Sequence, residues 1–260
     1  MITGNTRLFA IIADPIAQVR TPQVLNAYFQ SQDLDAILVP VHVPAEGLAE
    51  VIAGFRRMKN LGGFIVTVPH KIQVAALCDE LGPAARATGS VNTVRREADG
   101  RLAGDMFDGA GFVQGLRAQG HDPAGKRLLL LGAGGAAGAI AFSLVEAGAA
   151  RLVIANRTPA KAQAIAQRLR QAFPHADVRA GAADPRECDM VVNATTLGMR
   201  AEDPLPLDAE LLRPETVVAE IIMKPELTPL LAEAHKRGCP IHYGRHMLDE
   251  QVRLMARFML

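Results

Sequence analysis

Two charged residues in the first half of this 260-residue chain could carry out proton transfer. Lys71 ends the stretch Val-Thr-Val-Pro-His-Lys, and Asp108 lies in the stretch Gly-Asp-Met-Phe-Asp-Gly. A partly buried ammonium beside a carboxylate can take the proton of a hydroxyl group and stabilise the alkoxide that forms. A salt bridge, or two separate surface charges, is the more frequent arrangement of such residues, so the residue types alone leave both interpretations open.

A glycine-rich run that follows this pair predicts a site for a dinucleotide. Four leucines, Leu128–Leu131, precede the sequence Gly-Ala-Gly-Gly-Ala-Ala. This pattern matches the turn between the first strand and the first helix of a doubly wound nucleotide-binding domain, where helix amides bind the pyrophosphate. The residues expected there are Gly132, Gly134, Gly135 and Ala136. A tight turn without a ligand is the alternative, but a second strand, Leu152–Ala155, follows at the spacing of a nucleotide domain.

The end of that second strand favours NADP over NAD. NAD-binding domains place a carboxylate there for the ribose 2′-hydroxyl, whereas NADP needs cations for its 2′-phosphate. The chain has no carboxylate at that point and offers an arginine and a lysine instead. The residues expected to bind this part of the cofactor are Asn156, Arg157, Thr158 and Lys161. The alternative is that the two cations are ordinary solvated surface charges.

The composition excludes several classes of partner. Hydrophobic residues make up 49% of the chain and charged residues 21%, as in ordinary globular proteins, and the formal net charge is +1. Because the basic residues are dispersed, neither nucleic acid nor a membrane surface is expected as a partner. The three cysteines lie far apart, which favours reduced thiols in the cytoplasm, and the first residues lack the apolar core of a signal peptide.

Short apolar runs alternate with helical patterns and predict an α/β protein of two domains. The predicted strands are Leu8–Ile12, Ile37–Val41, Phe64–Val68, Leu128–Leu131, Leu152–Ala155, Met190–Asn193 and Val217–Ile221. A hairpin with its turn at Asp99–Arg101 precedes a helix that starts near Asp108, and the last helix covers His246–Leu260. We expect a substrate domain of residues 1–107 and 244–260 and a Rossmann-type NADP domain of residues 108–243, with the last helix returning to the first domain.

A series of motifs in a fixed order covers nearly the whole chain. They are Ala13–Ile16, Thr21–Pro22, Asn26, Val66–Lys71, Ser90–Thr93, Gly104–Gly109, Gly132–Ala136, Ala155–Thr158, Asn193–Thr195, Thr228–Leu230 and Met247–Leu248 with Gln251. In these motifs the chain resembles the shikimate/quinate dehydrogenase family. The resemblance implies an NADP-dependent enzyme of aromatic amino acid biosynthesis that reversibly reduces 3-dehydroshikimate to shikimate.

The resemblance also implies roles for individual residues. Lys71 and Asp108 would be the catalytic pair, although which of them is the formal base stays open. The implied substrate-binding positions are Val19, Thr21, Thr67, Asn92 and Gln251. The implied neighbours of the dinucleotide are Asn193, Ala194, Thr195 and Met247, the last of them near the nicotinamide. The partner expected is a small cyclic hydroxy or keto acid, and the protein could be a monomer or a homodimer.

Several positions depart from the family pattern, mostly by exchanging a polar residue for an apolar one. Val19 and Thr21 stand where the family usually has two serines that bind the substrate carboxylate. The other departures are Ile65 for Asn, Met106 and Phe107 for Asn and Thr, and Met223 for Tyr. Each lost hydrogen bond weakens the binding of a polyhydroxy acid by roughly 0.5 to 1.5 kcal/mol. The resemblance therefore implies retained catalytic machinery and a less hydroxylated or bulkier cyclic hydroxy acid as substrate.

Other interpretations remain open at the level of the sequence. One is a regulatory protein that binds nucleotide and metabolite without turnover, and another is an enzyme of the methylenetetrahydrofolate dehydrogenase type. No metal site is expected, because Gly244 interrupts the helical spacing between His242 and His246. His70, which follows a proline, is expected to open a helix and to face water in part.

Overall fold

The computed structural model describes residues 2–260, and its contacts divide them into two compact units. Unit 1 contains the described residues up to Phe107 together with Gln251–Leu260, and unit 2 is Asp108–Glu250. The contacts thus change over to unit 1 within the C-terminal helix. The domain limits proposed from the sequence, 1–107 with 244–260 and 108–243, place this crossing before that helix.

Unit 1 is built on a mixed sheet. Its strands are β1 (Arg7–Ala13), β2 (Ala36–His42), β3 (Leu61–Val66), β4 (Glu80–Leu81), β5 (Thr93–Arg96) and β6 (Leu102–Asp105). Its helices are α1 (Thr21–Ser31), α2 (Leu48–Arg57), α3 (Lys71–Leu77) and α4 (Pro83–Thr88). The strand order is β2-β1-β3-β5-β6-β4, in which β1 runs parallel to β2 and β3, while β5 is antiparallel to β3 and β6.

The β5–β6 hairpin confirms the turn predicted at Asp99–Arg101. Gly100 has a φ of +91°, a conformation that favours glycine, and the backbone N–H of Arg101 donates to Oδ1 of Asp99 over 2.9 Å. The expectation of parallel sheets therefore holds for β1, β2 and β3 but not for the whole of this sheet, because a short hairpin joins strands only in antiparallel fashion.

The core of unit 1 follows from strand alternation and helix periodicity. Ala10 and Ile12 of β1 point to one face of the sheet, where they join Phe64 of β3. Ile52 and Phe55 of α2 cover this face, and the rings of Phe55 and Phe64 lie 5.2 Å apart. The predicted strands Leu8–Ile12 and Phe64–Val68 are thereby confirmed as core elements, although β3 ends at Val66.

Unit 2 is a doubly wound parallel sheet. Its strands are β7 (Arg127–Leu131), β8 (Arg151–Ala155), β9 (Val178–Ala180), β10 (Met190–Asn193), β11 (Val217–Glu220) and β12 (Ile241–His242). Its helices are α5 (Asp108–Ala118), α6 (Gly135–Glu146), α7 (Pro159–Ala172) and α8 (Pro229–Lys236), and α9 (Arg245–Met259) starts here and ends in unit 1. The strand order β12-β11-β10-β7-β8-β9 is the Rossmann order, with its switch point between β7 and β10.

Burial explains why the first strand of unit 2 reads as an unbroken apolar run. Leu128–Leu131 are at most 2% exposed, because helices or loops cover both faces of a parallel sheet. The strands β4, β9 and β12 were not predicted as strands, since two or three residues are too short to show an alternating pattern. Across residues 2–260, no helix has both the length and the apolar character that a membrane crossing requires.

His242 ends β12 as a buried imidazole among other rings of unit 2. It is 1% exposed, its ring centroid lies 5.9 Å from that of Phe112 and 5.0 Å from that of His246, and His121 lies 6.2 Å away. Neither ring nitrogen has a hydrogen-bond partner among the described residues. Burial, and to a smaller extent the neighbouring histidines, lower the pKa of His242 from 6.5 to about 3.

This lowered pKa predicts a loss of stability in acid. Between pH 6.5 and about pH 3 the unfolded chain binds a proton at His242 that the folded chain does not bind, so the free energy of unfolding decreases as the pH falls. The slope attributable to this group is at most about 1.4 kcal/mol per pH unit. We expect His242→Phe to reduce this pH dependence in urea unfolding between neutral pH and about pH 5. His175→Gln, which removes an exposed imidazole, serves as control, and equal pH dependence in both variants would contradict the assignment.

Candidate active site

One edge of the unit 1 sheet gathers several of the residues implied by the family resemblance. Thr67 follows the carboxyl end of β3, and its N–H donates to the carbonyl of Ile12 over 3.1 Å. Asn92 precedes the antiparallel strand β5 and therefore lies at the same edge, where its carbonyl accepts from the N–H of Val66 over 2.8 Å. The N–H of Asn92 donates in turn to the carbonyl of Asp105, the last residue of β6, over 3.1 Å. Hydrogen bonds thus fix the segments after β3 and before β5 side by side.

Lys71 belongs to this same edge. It is the first residue of α3, is half-buried, and its carbonyl accepts from the N–H of Val91 over 3.0 Å. Because Val91 immediately precedes Asn92, this bond places the backbone of Lys71 next to that of Asn92. Unit 1 therefore places the backbone positions of Lys71, Thr67 and Asn92 at one edge of its sheet.

The amide of Asn92 has a defined orientation. Its Oδ1 accepts from the N–H of Phe107 and from Oγ1 of Thr93, each over 3.0 Å, and the residue is 2% exposed. An amide oxygen has two lone pairs, so these two donors use its accepting capacity. These two bonds orient the amide, so that Oδ1 faces Thr93 and Phe107 and Nδ2 forms its donor side.

The expectation that His70 faces water is wrong. His70 is fully buried, and its Nε2 donates to the carbonyl of Val43 over 2.7 Å. This bond ties the start of α3 to the segment after β2, and so it holds the residue that precedes Lys71. The imidazole stabilises the position of Lys71 from inside the unit, and it does not offer a solvent-facing proton acceptor.

The apolar departures from the family pattern fall into two environments. Ile65 is 3% exposed and Met106 is 2% exposed, so both side chains are part of the packed interior. Phe107 is half-buried, and its ring lies 5.1 Å from the ring of Phe258 near the end of α9. Met223, by contrast, is 50% exposed. Of the remaining substrate positions, Val19, Thr21 and Gln251 are half-buried and belong to unit 1.

Asp108 is the first residue of α5 and therefore belongs to unit 2, whereas Lys71 belongs to unit 1. The carboxylate is 4% exposed. A negative charge in the first turn of a helix is favourable because the N–H groups and the helix dipole face it. The structure thus gives Asp108 a rigid backbone position at the start of a helix.

The predicted glycine turn has the backbone that a dinucleotide site requires. Gly132 has a φ of +112°, and a β-carbon there would lie 2.7 Å from the carbonyl oxygen of Ala194. Its N–H donates to the carbonyl of Ala155 over 2.8 Å. The turn is therefore enclosed between the ends of β8 and β10, and any side chain at this position would disrupt it.

The start of α6 fits a bound pyrophosphate. A β-carbon at Gly134 or at Gly135 would project into open space, and no acidic residue occupies the first turn of the helix. Backbone N–H groups at such a helix end are ready donors to an anion. Ala137 is fully buried, as the close-packing position of this motif demands. Ala136 lies between Gly135 and Ala137 in the first turn of α6.

The loop after β8 has the polar character that was expected. Nδ2 of Asn156 donates to the carbonyl of Thr158 over 2.9 Å, which shapes the turn before α7. Arg157 and Lys161 are both exposed, and Lys161 lies in the first turn of α7. Two exposed cations next to the end of the second strand are suited to binding a phosphate group.

The segment after β10 is held by the buried side chain of Asn193. Its Oδ1 accepts from Oγ1 of Thr195 over 2.7 Å and from the N–H of Thr195 over 3.1 Å. Its Nδ2 donates to the carbonyl of Leu197 over 3.0 Å and to Oε2 of Glu220 over 2.9 Å. All four hydrogen-bonding positions of this amide are used, so Asn193 shapes the loop that carries Ala194 and Thr195.

Met247 stands at the start of α9, where two close backbone contacts position it. Gly115 of α5 packs against His246 and Met247, and a β-carbon at Gly115 would lie 3.2 Å from the backbone nitrogen of Met247. Gly244 packs against the backbone of Ile221 and Ile222 at the end of β11. Both glycines are therefore needed for close approach, and together they fix the turn before α9.

Glu220 is a buried group that the sequence alone does not reveal. It is 0% exposed at the end of β11 and pairs with Asn193, yet the sequence shows only an acidic residue at the end of an apolar strand. An acidic residue at the end of a strand is normally interpreted as a surface charge. The single signal that could have drawn attention to it is the apolar Ile-Ile pair that follows.

Comparison with known proteins agrees with this geometry. A family model described as shikimate dehydrogenase substrate binding domain matches residues 11–94, and one described as shikimate / quinate 5-dehydrogenase matches residues 116–199. A relative named shikimate dehydrogenase (NADP(+)) from Rubrobacter xylanophilus is 43% identical over 256 residues, which cover 95% of this chain and 88% of the relative.

Solved structures show the same similarity. The ligand-free 5-ketofructose reductase of Gluconobacter sp. strain CHM43 has a TM-score of 0.92 and 34% identity, with 99% of this chain and 94% of that chain covered. A shikimate dehydrogenase in complex with NADP+ has a TM-score of 0.91 and 31% identity, with 100% and 91% covered.

The fold and the glycine turn define a two-domain α/β protein with a dinucleotide-binding unit. More particularly, the family models and the relatives agree along nearly the whole chain. The chain belongs to the shikimate/quinate dehydrogenase family. The methylenetetrahydrofolate dehydrogenase interpretation is therefore wrong.

Proposed function

We propose that the protein is an NADP-dependent oxidoreductase of the shikimate dehydrogenase type. It would reversibly reduce 3-dehydroshikimate to shikimate, or reduce a related, less polar cyclic keto acid. The observation that carries the proposal is the 43% identity over 95% of the chain with a relative named for that activity. The glycine turn of unit 2 and the Lys71 edge of unit 1 support it, because a dehydrogenase needs both a cofactor site and a proton-transfer group. The same relatives argue against a purely regulatory role.

Unit 2 supplies the residues that would hold the cofactor. The N–H groups after Gly134 would bind the pyrophosphate, and Arg157 and Lys161 would bind the 2′-phosphate, with Thr158 as an additional donor. Thr195 and Met247 would lie along the nicotinamide half of the molecule. Bound NADP supplies the hydride acceptor in the oxidation and the hydride donor in the reduction.

Unit 1 supplies most of the groups that would bind the substrate, and unit 2 adds Asp108. Nδ2 of Asn92 donates to a substrate oxygen, and Thr67 and Gln251 bind the remaining polar groups. Lys71 exchanges the proton of the reacting hydroxyl or stabilises the alkoxide, and Asp108 orients the same hydroxyl as the second member of the pair. Water must be kept away from these groups during the reaction, because it would screen the charges that do the work.

The apolar departures favour a substrate with fewer hydroxyl groups than shikimate. Phe107 is half-buried and Met223 is 50% exposed, and both are apolar where the family has a hydroxyl group. Val19 likewise removes one hydroxyl from the position implied for the substrate carboxylate. We infer a less hydroxylated or bulkier ring acid, which regains through apolar contact part of what it loses in hydrogen bonds.

A kinetic panel tests this proposal. The purified protein is assayed with NADP+ and NAD+ against shikimate, quinate and ring acids that carry fewer hydroxyls, and with 5-ketofructose in the reverse direction with NADPH. We expect turnover with the NADP couple and a larger kcat/KM for a less hydroxylated acid than for shikimate. Absence of turnover across the panel would overturn the function. A kcat/KM for shikimate in the ordinary enzyme range, about 10⁴ to 10⁸ M⁻¹s⁻¹, would overturn only the substrate preference.

The cofactor preference yields a separate prediction. We expect Arg157→Ala to raise the KM for NADP by roughly 10- to 100-fold, because a charge-assisted bond to the 2′-phosphate is lost, and to leave the KM for NAD nearly unchanged. Arg168→Ala is the matched control, since Arg168 is an exposed arginine on α7, the helix that follows the loop of Arg157. Equal effects on both dinucleotides, or equal effects of the two variants, would show that Arg157 does not recognise the phosphate.

A further inference from the structure

Glu220 is a buried carboxylate on which three segments of unit 2 converge. Its Oε1 accepts from the N–H groups of Ile221 and Ile222 over 2.9 and 3.1 Å. Its Oε2 accepts from Nδ2 of Asn193 over 2.9 Å and from Oγ1 of Thr228 over 3.1 Å. Burial raises the pKa of Glu220, and the four hydrogen bonds act in the opposite direction. All four partners are donors, so the group between them must act as an acceptor on both oxygens.

The Asn193 contact determines how the segment 193–197 is held. An amide can be turned over so that its oxygen and nitrogen exchange places, and only its surroundings select one orientation. The Glu220 carboxylate can accept but not donate, so it selects the orientation in which Nδ2 points toward it. Oδ1 then faces Thr195, which it holds through both the backbone N–H and the hydroxyl.

The other contacts hold both ends of the segment 221–228. Ile221 and Ile222 begin this segment, and their backbone packs against Gly244 in the turn before α9. Thr228 ends it, and the same hydroxyl that donates to Glu220 accepts from the N–H of Leu231 to cap α8. One carboxylate therefore fixes two loops and, through Gly244, the turn that precedes Met247.

We propose that Glu220 is a positioning residue for the reaction, because it holds in one arrangement the segments 193–197 and 221–228 that would flank the bound dinucleotide. The inference rests on the proposed function, which places Thr195 and Met247 along the nicotinamide half of the dinucleotide. A glutamine cannot substitute, since it offers one accepting oxygen where four donors converge and adds a donor that meets another donor. Misplacement of a reacting group by about 1 Å can reduce the rate by about 100-fold.

The alternative is that Glu220 only stabilises unit 2, and Thr216→Val provides the matched control for it. Thr216 is fully buried immediately before β11, at the opposite end of the same strand, and its hydroxyl donates to the carbonyl of Cys188 over 3.2 Å. Both Glu220→Gln and Thr216→Val remove buried hydrogen bonds and should lower the Tm. Only the change at Glu220 should disturb the two loops.

The experiment combines hydrogen exchange of the protein alone with kinetics. For Glu220→Gln we expect amide exchange in segments 193–197 and 221–228 to be faster by about tenfold or more. We also expect kcat to be lower by about 10- to 100-fold, with the KM of the ring acid nearly unchanged. Thr216→Val should leave the exchange of these segments and kcat within about twofold of the unmodified protein, apart from its lower Tm.

A second pair of variants tests the same role in case Glu220→Gln does not fold. Thr228→Val removes one donor to Glu220, and Thr228→Ser retains it, so only the valine variant should speed exchange and reduce kcat. Unchanged exchange and kcat in both Glu220→Gln and Thr228→Val would overturn the positioning role and leave the proposed function intact. If the unmodified protein shows no NADP-linked turnover, the proposed function fails, and this inference fails with it.

Discussion

Lys71→Met is expected to reduce kcat by about 10³-fold, because the variant removes the ammonium that exchanges the substrate proton while it preserves the length of the side chain. The backbone of Lys71 is tied to Val91 and follows the buried His70, so the variant should fold normally. Because Lys71 belongs to unit 1, the affinity for NADPH, followed by the fluorescence of the reduced cofactor, should stay nearly unchanged. Steady-state kinetics with the best substrate of the panel measure the loss.

Lys59→Met is the control for this prediction, since Lys59 is an exposed lysine of the same unit. Its kcat should equal that of the unmodified protein. If Lys71→Met retains more than about one tenth of the original kcat, Lys71 does not perform the proton transfer, since positioned acid–base groups contribute at least about 100-fold.

Asp108→Asn is expected to lower kcat/KM by about 100- to 1000-fold, because the amide retains the shape of the side chain but loses the negative charge that orients the reacting hydroxyl. Asp108 is buried and starts α5, so part of any loss of stability will come from the helix terminus. The Tm of the variant is therefore measured along with the kinetics, which are recorded well below that temperature.

Asp208→Asn provides the matched change, since Asp208 is an exposed aspartate of unit 2 that caps a short helical turn by accepting from the N–H of Glu210. It should leave kcat/KM unaltered. An Asp108→Asn variant whose kcat/KM matches that of the Asp208→Asn variant would remove Asp108 from the catalytic pair.

Several strands could be predicted because they are buried on both faces. Leu128–Leu131 and Met190–Asn193 read as apolar runs for that reason, and the turn at Asp99–Arg101 is carried by local chemistry. Strands such as β9 and β12 escape prediction, since pairing with a neighbouring strand defines them and their own residues do not. The antiparallel placement of β5 between β3 and β6 likewise depends on tertiary pairing.

In the candidate site, too, local features could be predicted from the sequence, whereas contacts between distant segments could not. The glycine turn at Gly132 and the cationic loop at Arg157 are local features, so spacing and residue type predict them. The burial of His70 depends on a carbonyl of Val43 that comes from a distant segment. The network of Glu220 depends on donors from Asn193 and from Thr228, whose proximity only the folded chain creates.

Hydride transfer from the substrate to NADP+ can be tested by following the hydrogen that is transferred. The best ring acid of the panel is prepared with deuterium on its carbinol carbon and incubated with the protein and NADP+, and the mass of the reduced dinucleotide is measured. We expect the reduced cofactor to carry the deuterium and Lys71→Met to form it far more slowly. Reduced cofactor without the label, or no reduction of NADP+ by any acid of the panel, would contradict this expectation.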